Sequence, residues 1–209
     1  MEDKLAFSGC VVAIQPRIRL MRSFDQRDHS YLGYSLRIDG TINELADTFT
    51  VGIGKALQAK HCIEGGNEVD GLCVPVQDPD LEPVSYYMVS KFKTVSRSQL
   101  QSQSPPPWLG VPPTLETYRA RGHRRLAGKT YDKSCTTCIW GCRMAVEMII
   151  DQWNPSQRRY RLETFCYGPK SCKLYHSGQT RKVPGRKGMT WEEEDWVDEE
   201  ATAHRGQDE

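Results

Sequence analysis

The segment VAIQPRIRL, residues 12–20, alternates between apolar and polar side chains. Its even positions carry Val12, Ile14, Pro16, Ile18 and Leu20, and its odd positions include Gln15, Arg17 and Arg19. Successive side chains of a β-strand point to opposite faces, so this alternation predicts a strand with one buried face. Pro16 has no N–H to give to a neighbouring strand, which predicts an edge position or a bulge there.

Similar patterns recur over the next 75 residues or so. Further strands are predicted at Leu32–Ile38, Phe49–Ile53, Val69–Val76 and Val84–Val95, with a short intervening stretch at Lys55–Lys60. No segment in this part of the chain has the pattern of an amphipathic helix longer than about one turn. Five strands without a long helix predict a small β-barrel or sandwich.

The order and lengths of these five strands resemble the oligonucleotide-binding (OB) fold over residues 5–97. The resemblance implies a barrel with a strand face on which aromatic rings stack against bases and arginines follow the phosphates. Candidate residues for such a face are Arg17, Arg19, Tyr31 and Arg37. The alternative is an ordinary solvated face, which the net charge of −3 over residues 1–117 supports.

Residues 98–117 are predicted to link this domain, residues 1–97, to the rest of the chain. Their central part, Gln99–Pro113, reads QLQSQSPPPWLGVPP, a composition typical of an extended spacer. Trp108 and Leu109 are the apolar exceptions. They are expected to dock onto a neighbouring domain, or alternatively to present a proline-aromatic ligand to another protein.

A second module is predicted at residues 118–190, where five of the eight cysteines lie between Cys135 and Cys172. Two cysteine-bearing turns flank two strand-like segments, Met144–Asp151 and Arg159–Phe165. This arrangement resembles a zinc ribbon, although its second turn is C-x5-C where ribbons have C-x2-C. The predicted zinc ligands are Cys135, Cys138, Cys166 and Cys172. A metal would supply folding free energy to a segment with little apolar surface to bury.

Other uses of these thiols stay open. Cys142 or His176 could replace one of the four ligands. The spacing C-x2-C-x3-C with a distal cysteine also supplies enough thiolates for an iron–sulfur cluster, and free or redox-active thiols are a further alternative. The isolated Cys10, Cys62 and Cys73 are expected to pack in the core as small apolar side chains.

The second module is strongly basic. Residues 118–190 contain 16 Lys and Arg against 4 Asp and Glu, a net charge of +12. Basic side chains interleaved with aromatic rings predict contact with nucleic acid, either RNA or DNA, whereas a merely solvated surface is the alternative. The predicted contact residues are Arg119, Arg121, Arg124, Arg125, Trp140, Arg158, Arg159, Arg161, Lys182, Arg186 and Lys187.

An acidic tail with two tryptophans closes the chain at residues 191–209, with a net charge of −8. Arg181–Gly188, just before it, is predicted to be a mobile basic loop. The tail is expected either to dock on a partner protein or to fold back on the basic module and compete with a polyanion for the same surface.

No spacing of His, Cys, Asp or Glu marks a catalytic centre, and no phosphate-binding glycine motif occurs. No apolar run approaches the roughly 18–20 residues of a membrane span, which predicts a cytoplasmic protein without a membrane partner. Together these features predict a mostly β protein: an OB-like barrel, a zinc-ribbon-like module and an acidic tail. The predicted function is a non-catalytic nucleic-acid-binding accessory subunit of a larger complex. The alternatives are a protein-interaction subunit, an iron–sulfur redox protein or a binder of acyl-CoA.

Overall fold

Ten β-strands and four short α-helices form the secondary structure of residues 4–23, 26–98, 104–193 and 195–206, the parts that this computed structural model describes. The strands are β1 (Leu5–Arg22), β2 (Arg27–Ile42), β3 (Leu45–Ile53), β4 (Glu68–Pro75), β5 (Tyr86–Ser96), β6 (Arg124–Arg125), β7 (Gly141–Ile149), β8 (Arg158–Cys166), β9 (Arg181–Pro184) and β10 (Thr190–Glu193). The helices are α1 (Lys55–His61), α2 (Leu115–Arg121), α3 (Gly128–Thr130) and α4 (Trp196–Thr202). The prediction of a mostly β chain is confirmed.

The first five strands are joined by a series of pairings that starts and ends at β1. Strand β1 pairs antiparallel with β2, and β2 pairs antiparallel with β3. Strand β5 pairs antiparallel with β4, which in turn pairs with the first half of β1. The link between β3 and β5 is the single parallel pair Val51↔Tyr86. Because this link is one residue pair, the structure establishes a mixed sheet and not a closed barrel.

Glycines allow β1 and β2 to approach closely. Gly9 faces Gly40 across the pair, and its φ of +156° is a conformation that residues with side chains rarely adopt. A Cβ atom on Gly40 would lie 2.1 Å from the carbonyl oxygen of Ser8. Any larger residue at this position would therefore force the two strands apart.

The second half of β1 joins the C-terminal region to the same sheet. Arg19–Arg22 pair in parallel with Ala145–Met148 of β7, which continues antiparallel into β8 and then β6. One apolar core also spans both regions, since Ile18 and Leu36 belong to the same buried cluster as Met144 and Phe165. The predicted division at residues 98–117 stays a prediction, and strands on either side of it share one sheet and one core.

The predicted strands are all present, and most are longer than the alternation indicated. The turn at residues 154–156 lies between β7 and β8, where the Ile150 N–H donates to the Gln157 carbonyl oxygen. The stretch at Lys55–Lys60 is helix α1, which ends in a left-handed residue, Cys62. Cys62 is exposed and Cys10 is partly exposed, so the expectation of core packing is met by Cys73 and not by Cys62.

Trp108 docks as expected. Its ring packs beside both apolar clusters, and its carbonyl oxygen accepts a hydrogen bond from the Ile139 N–H at 2.9 Å. Residues 99–103 of the predicted extended spacer lie outside the described residues. The end of the predicted linker is helical, because α2 begins at Leu115 with Thr114 as its N-cap.

The chain after residue 180 has more regular secondary structure than predicted. Arg181–Pro184 form β9, which pairs antiparallel with β10 of the acidic segment, so the predicted mobile loop is a short hairpin. Helix α4 then buries Val197, Asp198 and Thr202. Pairing of the predicted loop with the acidic residues that follow it, which local composition does not reveal, explains the difference. Glu194 and residues 207–209 of the tail lie outside the described residues.

Among the described residues, no helix combines the length and the apolar character needed to cross a membrane.

Candidate metal centre and nucleic-acid interface

The predicted cysteine ligands come from two loops that follow short structural elements. Helix α3 continues into a π-helical turn, Tyr131–Cys135, which places Cys135 and Cys138 ahead of β7. Cys166 is the last residue of β8, and Cys172 lies in the loop after it. Cys135, Cys138 and Cys166 pack together in one buried cluster.

The thiols of these residues lie close enough to affect each other. Burial, with smaller contributions from the thiols of Cys138, Cys166 and Cys172, raises the pKa of Cys135 to about 12. Burial raises the pKa of Cys166 too, with a smaller contribution from Cys172. The structure thus brings all four predicted ligands into one neighbourhood, although the two pairs are separated by about 30 residues of hairpin.

Backbone N–H groups point at two of the four sulfurs. The Gly168 N–H donates to Cys166 Sγ at 3.3 Å. Burial raises the pKa of Cys138 to about 11, and hydrogen bonds from the backbones of Trp140, Trp108 and Gly141 act against this rise. Such donors favour a thiolate over a thiol, which is the form that a metal binds.

The positions of the sulfurs are not those of a loaded site. In the described parts of the chain, no group of three or more His, Cys, Asp or Glu side chains is arranged to hold a metal ion. Ligation by these four cysteines would require their side chains to turn toward a common point. The donor set itself, four cysteines with N–H donors to sulfur, fits zinc or an iron–sulfur cluster.

Cys142 lies apart from the other four thiols. It belongs to the main apolar core, and its Sγ donates to the Pro16 carbonyl oxygen at 3.3 Å. Complete burial raises its pKa well above the usual range. This placement argues against Cys142 as the alternative ligand. The other alternative, His176, is exposed and contributes its carbonyl oxygen to a hydrogen bond from Ala127.

A buried glutamine fixes the first cysteine loop to strand β1. Gln15 Nε2 donates to the carbonyl oxygens of Cys135 at 2.8 Å and Cys138 at 2.9 Å. Its Oε1 accepts a hydrogen bond from the Tyr131 hydroxyl at 2.6 Å. All three bonds are buried, so they position the loop across a sequence separation of more than 100 residues.

The contact between β1 and this loop forms one wall of a cleft of about 400 Å³. Strands β1, β2 and β3 supply its floor, and the loop between β4 and β5 supplies another wall. Among its lining residues are Gln15, Arg37, Thr50, Pro83, Tyr131 and Arg143. The cleft therefore joins the N-terminal strands to the cysteine loop.

Two arginines give the cleft its charge. Arg37 is exposed at its floor, and Arg143 lies over the Tyr131 ring with its guanidinium carbon 5.0 Å from the ring centre. Arg143 also pairs with the exposed Asp132 at 2.7 Å. Burial raises the pKa of Tyr131, while Arg143 and Arg37 oppose that rise, so both cations act at this ring.

The other candidates on the strand face are engaged within the protein. Arg17 and Arg19 both bind the Glu82 carboxylate, at 2.8 and 2.9 Å. Gly52 makes room for the first of these, because a Cβ there would lie 2.9 Å from Arg17 Nη1. Tyr31 lies beneath the Arg119 guanidinium at 4.8 Å. Of the four, Arg37 presents the most accessible cation to the cleft.

Several of the predicted basic contacts hold the C-terminal region together. Arg121 donates to the Tyr167 carbonyl oxygen at 2.8 Å and stacks on Trp140, which is half-buried. Arg124 donates to the Pro169 carbonyl oxygen at 2.9 Å. Arg161 binds the buried Glu163. Each guanidinium would have to leave these partners before it could bind a phosphate.

Arg125 has the most internal position of the predicted set. Its side chain is 1% exposed, and it binds Asp198 at 3.1 Å as well as Asp195. It also donates to the Glu193 carbonyl oxygen at 3.0 Å. In this conformation Arg125 offers no surface to a nucleic acid.

The remaining predicted residues are on the surface. Arg158 pairs with Glu147, Lys182 pairs with Glu192 at 3.3 Å, and Arg186 lies 3.4 Å from Asp151. Exposed members without a carboxylate partner in the described parts of the chain are Arg119, Arg159 and Lys187. The basic surface is therefore smaller than the net charge of +12 indicates.

The acidic segment neutralises part of this charge. Glu193 binds Arg27 at 2.5 Å and also the buried Arg22, while Asp195 and Asp198 hold Arg125. Of the two expectations for the tail, the structure shows the fold back onto the basic region. Buried ion pairs of this kind are costly to break on one side only, because the remaining charge keeps no partner.

A histidine pair lies next to these ion pairs. The rings of His29 and His123 are 4.9 Å apart, and His123 packs edge-on against Phe165. Burial, aided by Arg27 and Arg22, lowers the pKa of His29 from the usual 6.5 to about 4. Complete burial, aided by His29 and Arg27, also lowers the pKa of His123 well below 6.5. Both rings are neutral at pH 7.

The sequence did not indicate that Gln15, Tyr131 and Arg143 line a common cleft. Gln15 appeared only as a polar position of a strand, and nothing local indicates that its amide satisfies two carbonyl groups of a distant loop. Arg143 is one of two charged side chains on the mostly apolar β7, with Glu147, which was an available signal.

Comparison of the chain with protein-family models, with curated proteins and with solved structures found no significant match.

Proposed function

We propose that this protein is a non-catalytic nucleic-acid-binding accessory subunit with a structural zinc site. The observation that carries the proposal is the cleft that joins β1, β2 and β3 to the cysteine loop and is lined by Arg37 and Arg143, the second of which stacks on the ring of the buried Tyr131. Two guanidinium groups at one cleft suit a strand of phosphates. The nucleic acid is RNA or DNA with unpaired bases.

The topology of the first five strands supports an OB-type barrel as the framework of the cleft. The pairings run β1–β2–β3–β5–β4 and return to β1, and α1 lies between β3 and β4. OB folds bind oligonucleotides on the face of their second and third strands, between the loops that join strands 1 to 2 and 4 to 5. The cleft lies on the corresponding face, with the loop between β4 and β5 as one wall.

Two features support zinc as the metal. Four cysteines share one neighbourhood, and backbone N–H groups donate to Cys138 and Cys166. Zinc bound there would stabilise the loop that forms a wall of the cleft. Cys135, Cys138, Cys166 and Cys172 would hold it in a zinc-ribbon-like arrangement. All eight cysteines are unpaired, which supports a reducing location such as the cytoplasm.

The test is the binding of a fluorescein-labelled single-stranded oligonucleotide at several salt concentrations. Removing one phosphate contact lowers the slope of log affinity against log salt by about 0.7 for a single strand. Arg37→Ala and Arg143→Ala are each expected to lower the slope by that amount and the affinity by about tenfold. Lys60→Ala is the matched control, because it removes an exposed cation of α1 that does not line the cleft.

Two results would contradict the proposal. One is wild-type protein that binds neither single-stranded DNA nor RNA in about 50 mM salt, where phosphate contacts are strong. The other is an equal loss of affinity in Lys60→Ala and in the two cleft variants, which would indicate diffuse attraction with no site.

The second candidate function is docking on a partner protein through the acidic segment. Trp196 favours it, because the first residue of the acidic helix α4 is a tryptophan with 57% of its surface exposed. Salt dependence separates the two functions: an apolar contact at Trp196 would change little with salt, whereas phosphate binding falls steeply. Trp196→Ala would abolish partner capture only under this second function.

A further inference from the structure

The most exposed tryptophan of the described residues lies at the tip of the β7–β8 hairpin. Trp153 has 87% of its surface open to solvent. Single exposed apolar side chains are common on protein surfaces, so the surroundings of Trp153 decide whether it marks a binding surface. Trp153 belongs neither to the cleft nor to the acidic segment.

The turn that carries Trp153 is held by its own hydrogen bonds. Asp151 Oδ1 accepts the Trp153 N–H at 3.0 Å, and the Asp151 carbonyl oxygen accepts the Asn154 N–H at 3.1 Å. The Ser156 hydroxyl donates to the Asn154 side chain at 2.5 Å. These bonds fix the backbone of the tip, so the ring is presented from an ordered turn.

A groove of about 280 Å³ runs beside this ring. Trp153 forms one side together with Ile149 and Ile150, while Met189 and Trp191 of the β9–β10 hairpin form the other. Trp191 is held close to its own hairpin, because a Cβ on Gly185 would lie 2.9 Å from the indole nitrogen. The volume of the groove suits one planar aromatic group, and apolar side chains line both sides.

The charged side chains at the groove indicate which kind of ligand it suits. Arg186 lines the groove, and Lys187, the next residue, is exposed without a carboxylate partner in the described parts of the chain. Arg159 is exposed near the start of β8, close to the same hairpin tip. Asp151 is the acidic residue in the groove, and it lies 3.4 Å from Arg186. Arg186 and Asp151 balance each other within the lining, so the excess positive charge comes from Lys187 and Arg159 beside the groove. Cations next to an aromatic wall complement a base with its phosphates.

Trp196 provides an internal comparison. It is also strongly exposed, at 57%, but its neighbours in sequence are Asp195, Asp198 and Glu199. Phosphates would be repelled there, so an exposed ring alone does not make a nucleotide site. The difference between Trp153 and Trp196 is the sign of the surrounding charge.

We propose that the groove between Trp153 and the β9–β10 hairpin is a second nucleic-acid subsite, in which an unpaired base stacks on Trp153 and its phosphates contact Arg186 and Lys187. This subsite rests on the proposed nucleic-acid function. It adds to the cleft a second position, at which the protein contacts a base as well as phosphates. It tolerates any base, because every base has a face that can stack.

The experiment compares two probes with the full-length protein: a fluorescein-labelled oligo(dT) and an abasic strand of the same length. Trp153→Ala is expected to weaken oligo(dT) binding about tenfold and to leave binding of the abasic strand unchanged, because only the bases stack. Trp153→Phe keeps an aromatic ring and is expected to stay within about threefold of wild type. Trp196→Ala is the matched control and is expected to bind both probes like wild type.

Three results would overturn the subsite while leaving the cleft intact: oligo(dT) binding unaffected in Trp153→Ala, an equal loss in Trp196→Ala, or an equal loss for the abasic strand. In each of these cases the Arg37→Ala variant would still show its reduced salt slope. If wild-type protein bound neither probe nor a single-stranded RNA at low salt, the proposed function and the subsite would both fail.

Discussion

The two regions of this chain are stabilised in different ways. The first five strands contribute most of an apolar core, which extends into β7 and β8 and in which residues such as Ile18 and Leu36 are fully buried. The region around the cysteines has a small second cluster of two apolar or aromatic residues and three thiols, bordered by buried charges. Apolar burial involves neither a metal nor an ionisable group, whereas thiols and ion pairs respond to metal, pH and salt.

This difference indicates where the protein is vulnerable. Strand β1 belongs to both regions, because its first half pairs with β4 and its second half pairs with β7. Loss of the polar contacts should therefore loosen the cysteine loops first and leave the N-terminal strands folded. Each prediction below tests one part of this contrast.

The largest effect is expected from metal removal. Structural zinc contributes on the order of 10 kcal/mol to small zinc domains, so chelation should expose the loops that carry the cysteines, residues 126–140 and 166–178. Limited proteolysis should then cut these loops, while the segment that contains Leu36 and Ile38 stays protected. Equal protection of both regions before and after chelation would contradict the contrast.

The next largest effect is expected at Arg125. Arg125→Met removes the partner of the buried Asp198 and should lower the free energy of unfolding by about 3–5 kcal/mol. Urea denaturation measures this change. Arg159→Met is the matched control at an exposed position and should change stability by less than about 0.5 kcal/mol. An unchanged free energy of unfolding in Arg125→Met would mean that packing of the acidic segment onto the basic region contributes little to stability.

The third effect is a loss of stability in acid through His29. Its pKa is lowered to about 4 in the folded protein, so between pH 6.5 and 4 the unfolded chain binds a proton that the folded protein does not. Above pH 6.5, His29 therefore does not lower the free energy of unfolding. As the pH approaches 4, its effect lowers that free energy by roughly 3 kcal/mol. The His29→Asn variant should lose this part of the dependence and keep the part due to His123. Identical pH profiles of the variant and the wild type would show that His29 does not contribute.

The smallest effect is expected for the exposed ion pair of the β9–β10 hairpin. Lys182 and Glu192 are 3.3 Å apart and both largely exposed. Lys182→Ala should change the free energy of unfolding by less than about 1 kcal/mol in urea denaturation. A larger loss would indicate that surface charge, and not the buried pairs, holds the acidic segment in place.

The same contrast explains which parts of the fold could be predicted from sequence. Alternation of side chains follows from the geometry of a strand, so β1, β2 and the β7–β8 hairpin are visible in the sequence alone. The burial of Arg125 depends on Asp198, which lies far along the chain, and composition indicated a surface cation instead. The β9–β10 hairpin is local, but its short strands show no clear alternation of side chains, and composition indicated a mobile loop.

The candidate site was predictable to a similar extent. The spacing of Cys135, Cys138, Cys166 and Cys172 indicated a shared site, and the structure places the four residues in one neighbourhood. The cleft was not predictable, because it depends on Gln15 reaching a loop about 120 residues away. The net charge also overstated the cationic surface, because it counts an arginine such as Arg121 whether its guanidinium faces solvent or a carbonyl group.

The most direct test of this account is metal analysis of anaerobically purified wild-type protein together with two variants, Cys138→Ser and Cys142→Ala. The account predicts one zinc per chain and no visible absorbance in the wild type. It also predicts loss of the metal in Cys138→Ser and full retention in Cys142→Ala, because Cys142 lies in the apolar core. Iron with a broad visible band, or zinc that survives in Cys138→Ser, would contradict it.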